Sequence, residues 1–352
     1  MITDYSEEII DDLFFNVIKK DNSIIINLKN KNNVLISSWL NGGLCHNMGN
    51  VVNMSTDEKD YDDLTDGDFE NFQKNKFLKL GLNPEKTTGL LTSACMDNCV
   101  ISVKKYEKLK VTSIVTAGAD KNAVKAGDPA SFYEYNNNYF NHFGTINIII
   151  LIDANLHDGA LVTASITATE AKTSVLQDLK IESQYSSHIA TGTGTDGICI
   201  ISNKDSQNHI ENAGKHSKLG ELIATSIQEA TREALYLQTF MSVDFQSTVL
   251  SRLSRFNITF DDFYTHTSID KKEYATKFYY FNNNTQNVAF VSSIINLIDE
   301  VNIGLLKLED ILTPVNILLT SYLHLEIENK KIENVEDIIF LLIDSINKYL
   351  FD

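Results

Sequence analysis

The chain opens on an apolar stripe, Ile9, Ile10, Leu13, Phe14 and Val17, whose spacing predicts a short helix over residues 7–19. β-rich runs follow at 23–28 and 34–39, split by a polar turn at 29–33. Residues 55–79 are acidic and polar, which predicts a surface loop and then a short helix. Further strands are expected at 87–93, 98–106 and 109–117. The run 144–153 is aliphatic on both faces and suits a central strand covered on both sides.

After it the period changes. Ala160, Leu161, Ala164, Ala168, Ala171 and Val175 make one face of a helix with Asp158 as N-cap. A buried strand is expected from Gly197, and a second long helix from an N-cap at Ser217 to about Phe240, burying Leu219, Leu222, Ile223, Ile227, Ala230 and Ala234. From residue 241 glycine nearly disappears. Short helical spacing at 249–256 precedes three amphipathic helices at 289–302, 308–326 and 334–350, with Pro314 in or near the start of the second. Strands that cluster before residue 120 without helices between them favour antiparallel pairing. The expectation is therefore an α+β fold: a layered sandwich of mixed, largely antiparallel sheet and helices over 1–240. A small helical domain, a dimerisation or lid element, would occupy 241–352.

Composition narrows the function. A hydrophobic content of 43% with three prolines describes a globular chain, and a net charge of -17 argues against nucleic acid or an anionic membrane as partner. The acidic start lacks the positive region of a secretory signal, and no aliphatic run is long enough to span a bilayer. A cytoplasmic location follows, with four free thiols. Cys95 and Cys99 do not make a zinc spacing, so no metal and no cofactor are expected.

The polar candidates concentrate before residue 220. Between His188 and Ile201, Thr191, Thr193 and Thr195 alternate with Gly192 and Gly194 and end on Asp196. Such a loop lets backbone approach a ligand and offers donors suited to a phosphate, an oxyanion or an amide carbonyl. Gly192, Gly194 and Gly197 also spell a dinucleotide fingerprint, but a strand rather than a helix is expected next, so that reading fails. Asn41, Gly42, Gly43, Asn53, Thr116, Asn122, Thr145 and Asn147 flank turns or interrupt strands, as amide readers or as turn and core residues satisfying their own backbone. Residues 136–138, three asparagines, fall in a loop. Glu170 lies opposite the helical stripe and Lys172 on its edge, while His216, before the second helix, is a general acid or base or a loop histidine.

Taken in order, several motifs resemble the adenosylcobinamide amidohydrolase family. They are Asn41-Gly42-Gly43 with Val51-Val52-Asn53-Met54, Thr116-Ala117-Gly118 and Gly144-Thr145-Ile146-Asn147-Ile148. Thr167-Ala168-Thr169-Glu170-Ala171-Lys172, Ala190 through Asp196 and His216-Ser217-Lys218-Leu219-Gly220 complete the set. The resemblance covers roughly residues 30–240, with a similar segment at 253–263, and does not extend over 265–352. It implies hydrolysis of the amide joining the corrin propionyl side chain to aminopropanol, for corrinoid salvage, with a corrinoid as substrate. A homo-oligomer is a possible assembly that the sequence leaves open. No nucleophile comes with the resemblance.

On residue chemistry, Asp196 or Glu170 activates water, and Lys172 or His216 protonates the leaving nitrogen. In a covalent variant Thr191 or Thr193 attacks with Lys172 as base. Asn41, Asn53, Asn122 and Asn147 suit the amide-ringed rim of a corrin. Two other readings stay open: a corrinoid-binding protein without chemistry, and a self-processing hydrolase cleaved before Thr191.

Overall fold

The computed structural model describes residues 7–56, 60, 68–130, 133, 145–265, 269–326 and 331–351. The expected loop at 136–138 and Gly144 lie outside them. The chain forms two compact units, Met1–Ser242 and Val243–Asp352.

The first unit is built on two sheets. The five-stranded sheet runs β1 (Glu7–Asp11), β2 (Phe15–Lys20), β3 (Ser23–Leu28), β6 (Asn50–Ser55), β7 (Thr87–Thr92), with only β6 and β7 parallel. The six-stranded sheet has the order β5 (Gly43–His46), β4 (Asn32–Ile36), β14 (Gly197–Asn203), β11 (Ile146–Ile152), β9 (Leu109–Ala117), β8 (Val100–Tyr106). Its one parallel pair, β11 with β14, is bridged by helix α2 (Asp158–Asp178), the kind of crossover a parallel connection needs. Two-residue pairings complete the set: β10 (Ala123–Val124) with β13 (Gly192–Thr193), and β12 (Asn155–Leu156) with β15 (His209–Ile210).

Four layers stack. Phe15, Val17, Ile24, Ile26, Val51 and Leu90 of the first sheet pack against Ile36, Ile114, Ile149, Leu151 and Ile201 of the second. On the second sheet's other face, Ile146, Ile148, Ile150 and Ile152 meet the alanine-rich stripe of α2 and the buried face of α3 (Lys218–Thr239). On the first sheet's outer face, Phe77 of α1 (Phe69–Lys79) covers Ile25, Val52 and Met54. β11 is thus covered on both sides, and the α+β sandwich is as the pattern predicted.

Residues 7–19 differ from the expectation: they form two strands, not a helix. The apolar spacing fits either period, and pairing decides, with Ile10 opposite Val17 and Ile18 opposite Ile25. Leu13, counted in the helical stripe, sits in the turn and is 94% exposed. The α2 N-cap is His157, accepting from the Gly159 N–H at 3.1 Å, one residue before the expected Asp158, whereas Ser217 caps α3 as expected.

The second unit is all helical: α4 (Val243–Gln246), α5 (Val249–Leu253), α6 (Phe260–Tyr264), α7 (Lys271–Asn282), α8 (Thr285–Asn302), α9 (Leu308–Leu323) and α10 (Val335–Phe351). Phe278, Val291, Ile294, Ile311, Leu319, Leu342 and Ile346 belong to its own core. The sequence reading missed α4, α6 and α7. Pro314 lies inside α9, which stops at the left-handed His324 rather than at 326. Among the described residues no helix is long and apolar enough to cross a membrane.

Candidate active site

The N-terminal ends of β11 and β14 meet the C-terminal end of β9: Asn147 stands opposite Thr116 on one side and Gly197 on the other. The threonine loop enters β14 at this edge. Asp196, the last residue of the loop, accepts from the Thr193 N–H at 3.1 Å, the Thr193 hydroxyl at 2.5 Å and the Ile146 N–H at 3.2 Å. Lys172 closes the cluster through an ion pair with the Asp196 carboxylate, their side chains only 6% and 16% exposed. Lys172 follows Ala168 by one helical turn on the inner side of α2, so its stem leaves the helix among buried residues. A carboxylate in such a place is tolerated because it is both paired and hydrogen-bonded. An added Cβ at Gly192 would overlap both the Asp196 carboxylate and the Lys172 ammonium, so a larger residue there would force the head groups or the loop to shift.

The polar side of α2 holds the rest of the loop. Thr173 donates to the Thr191 carbonyl at 2.8 Å and Gln177 to the Ala190 carbonyl at 3.0 Å. The Thr191 hydroxyl accepts from the Ala126 N–H at 2.8 Å, and the Thr145 hydroxyl donates to the Thr195 carbonyl. Asn122 is buried beside Gly194, whose N–H donates to the Asn122 carbonyl at 3.1 Å. Thr195 and Gly194 form the exposed tip.

Several candidates turn inward instead of towards a ligand. Asn53 donates to the Thr116 hydroxyl at 2.9 Å, and Asn147 donates to Asn53 at 2.8 Å and to the Leu91 carbonyl at 2.9 Å. All three residues are buried between the sheets, tying the β9–β11–β14 edge to β6 and β7. The Asn147 carbonyl oxygen has no hydrogen-bond partner among the described residues, and it lies where a Cβ on Gly197 would fall. Asn41, left-handed at φ 52, spends its amide on the Pro84 and Thr87 carbonyls at 2.8 and 2.7 Å. Gly42 packs on the Ser38 carbonyl, and Gly43 takes a φ of +78. In this structure these three shape the β4–β5 turn.

Glu170 and His216 are not brought to Asp196. Glu170 faces out and pairs with Lys215. His216 is exposed, ahead of a helix whose first residue, Lys218, lies over Tyr106 at the β8–β9 turn, the opposite end of the sheet from Asp196. Residues the sequence reading passed over also serve this edge. Gln73 of α1 is buried and ties the β4–β5 loop to Gly89, and Thr173 and Gln177, i and i+4 on α2, were legible as a polar line facing the loop. Burial pushes the Cys99 thiol up to about 12 and Cys199 well above the ordinary value, while Cys95 is exposed. Among the described residues no three His, Cys, Asp or Glu side chains are grouped to hold a metal ion.

Comparison with known proteins bears on the same unit. Residues 7–242 match the profile of a family described as adenosylcobinamide amidohydrolase. An uncharacterised protein of Methanocaldococcus jannaschii is 35% identical over 182 residues, which is 48% of this chain and 71% of that protein.

Proposed function

This chain belongs to the adenosylcobinamide amidohydrolase family, and on that premise we propose that it hydrolyses the amide joining the corrin propionyl side chain of adenosylcobinamide to aminopropanol. The products are adenosylcobyric acid and 1-amino-2-propanol, and the role is corrinoid salvage. The observation that carries the choice of centre is the buried Lys172–Asp196 pair with the Thr193 hydroxyl 2.5 Å from its carboxylate.

Amide hydrolysis needs an activated nucleophile, stabilisation of the oxyanion and a proton for the departing amine. In the proposed reaction the Thr193 oxygen attacks the amide carbon as its proton passes to Asp196. The C–N bond then breaks, and the aminopropanol nitrogen leaves with that proton. Water hydrolyses the resulting ester, releasing the corrinoid acid and restoring the hydroxyl. The Lys172 ammonium has three donors, and those beyond its bond to Asp196 can serve the developing oxyanion.

One observation favours a second reading. Asp196 already accepts from two backbone amides, a hydroxyl and an ammonium, as an anchor of loop shape would. In that case the protein binds a corrinoid without cleaving it. Incubating the purified chain with adenosylcobinamide and identifying the products by chromatography and mass spectrometry separates the two. Equimolar release of the acid and the amine supports hydrolysis, and bound but intact corrinoid leaves the binding reading.

A further inference from the structure

The loop between β4 and β5 presents an aromatic surface that the Asp196 chemistry does not use. Trp39, the single tryptophan of the chain, is 53% exposed and lies flat on Phe69 at the start of α1, with ring centroids 4.5 Å and planes 13° apart. Isolated exposed apolar residues are ordinary, but this one stands on a built support. The buried Gln73 accepts from the Leu40 N–H at 2.8 Å and the Ser38 hydroxyl at 3.1 Å, and donates to the Gly89 carbonyl at 2.9 Å. The Thr88 hydroxyl donates to the Leu40 carbonyl at 3.0 Å, and Asn41 bridges two further carbonyls. A ring held this way loses little freedom when a ligand stacks on it.

The same loop is fastened to the proposed active centre. The Ser37 N–H donates to the Ile198 carbonyl at 3.1 Å, and the Ile198 N–H donates to the Ser37 hydroxyl at 3.1 Å. Trp39 follows Ser37 by two residues, and Ile198 follows Asp196 by two. At no more than ~3.6 Å per residue, with ~5 Å between paired strands, the two backbones lie within roughly 20 Å of each other. A macrocycle carrying its scissile amide on a side arm can engage both places at once.

We propose that Trp39, backed by Phe69, is the stacking platform for a planar conjugated face of the substrate while the amide arm reaches the Lys172–Asp196–Thr193 cluster. The proposal rests on the reading that the substrate is adenosylcobinamide. That molecule offers two such faces, the adenine of its nucleoside and the corrin ring, and both present the polarisable surface that an indole stacks on.

The test uses the full-length chain with Trp39→Ala and Trp39→Phe, assayed on adenosylcobinamide and on cobinamide lacking the nucleoside. Loss of stacking is expected to raise KM roughly tenfold for Trp39→Ala with kcat little changed, and Trp39→Phe should recover most of it. A defect on both corrinoids assigns the corrin, and one confined to the adenosylated form assigns adenine. A KM equal to wild type on both, or a fall in kcat alone, overturns the platform. Because Trp39 is the only tryptophan, its fluorescence gives an independent measure in the Asp196→Asn chain. Saturating corrinoid should shield it from acrylamide, and undiminished quenching sinks the platform even where hydrolysis is normal. Shielding without any hydrolysis by the wild-type chain sinks the proposed activity and leaves the platform standing.

Discussion

Lys172, well inside α2, and Asp196, the residue before β14, meet in an ion pair with side chains 6% and 16% exposed, across 24 residues of sequence. Breaking such a pair from one side leaves a charge buried without its partner. Lys172→Met and Asp196→Asn should each lower stability, by about 3 kcal/mol, and the double variant should lose much less than the sum of the two. Denaturant unfolding of the four chains checks this, and strictly additive losses would show that the two side chains act independently.

Asp196→Asn keeps the shape of the side chain and much of its hydrogen bonding while removing the base. If the carboxylate takes the nucleophile's proton, turnover should fall by roughly 10²–10⁴-fold with corrinoid binding little weakened. Thr193→Ser, which keeps the hydroxyl, should retain activity that Thr193→Ala loses. Near-normal hydrolysis by folded Asp196→Asn would leave the residue as a loop anchor only.

Gly192→Ala tests the close approach of backbone to the ion pair. The added methyl has no room beside the Asp196 and Lys172 head groups, so the pair must part or the loop must move. Turnover should drop with the helices and sheets intact by circular dichroism. Gly127→Ala, at a φ of +100 in open space, is the control for backbone strain without overlap.

Asp128 supplies a pH dependence. Burial pushes its carboxyl up, but hydrogen bonds from Ser183, Ser186 and the Lys125 N–H, with His188 nearby, more than offset this and hold it below its ordinary value of 3.8. A carboxyl whose folded value is lowered stabilises the fold above its unfolded value, and that stabilisation disappears as pH falls through the folded value. Asp128→Asn should therefore melt earlier than wild type at neutral pH, with the two curves converging in acid below the ordinary value. A gap that persists in acid would exclude ionisation as its cause. The turn matters because β10, just ahead of it, pairs with β13 of the threonine loop.

Chelation is expected to leave turnover unchanged, because no group of three metal-ligating side chains occurs among the described residues. Activity that disappears with chelator and returns with one divalent ion would reverse this.

Local periodicity determined much of the first unit. β3 and β9 lie where their β-rich runs predicted them, β11 is buried on both faces, and α2 and α3 bury the alanine and leucine stripes read from spacing. It also marked Lys172 as a charge beside an apolar stripe. The motif order was enough to indicate the family. The placement of these elements follows from neighbours within a few residues, where chain geometry alone sets which side chains share a face, whereas the family came from resemblance.

What the tertiary structure decided depends on contacts between distant segments. Residues 7–19 fit a helix or two strands until β3 supplies a partner for Ile18. Asn53, Thr116 and Asn147 look like ligand readers one at a time; the register of β6, β9 and β11 turns them on one another, because a buried amide must find a partner. Glu170 and Lys172 are two residues apart, yet helical geometry sends one to Lys215 in solvent and the other to Asp196 under Gly192. His216 is carried to the far end of the sheet because α3 begins there. Sequence spacing names the groups able to do chemistry, but only the pairing of strands and the direction of helices places them within bonding distance.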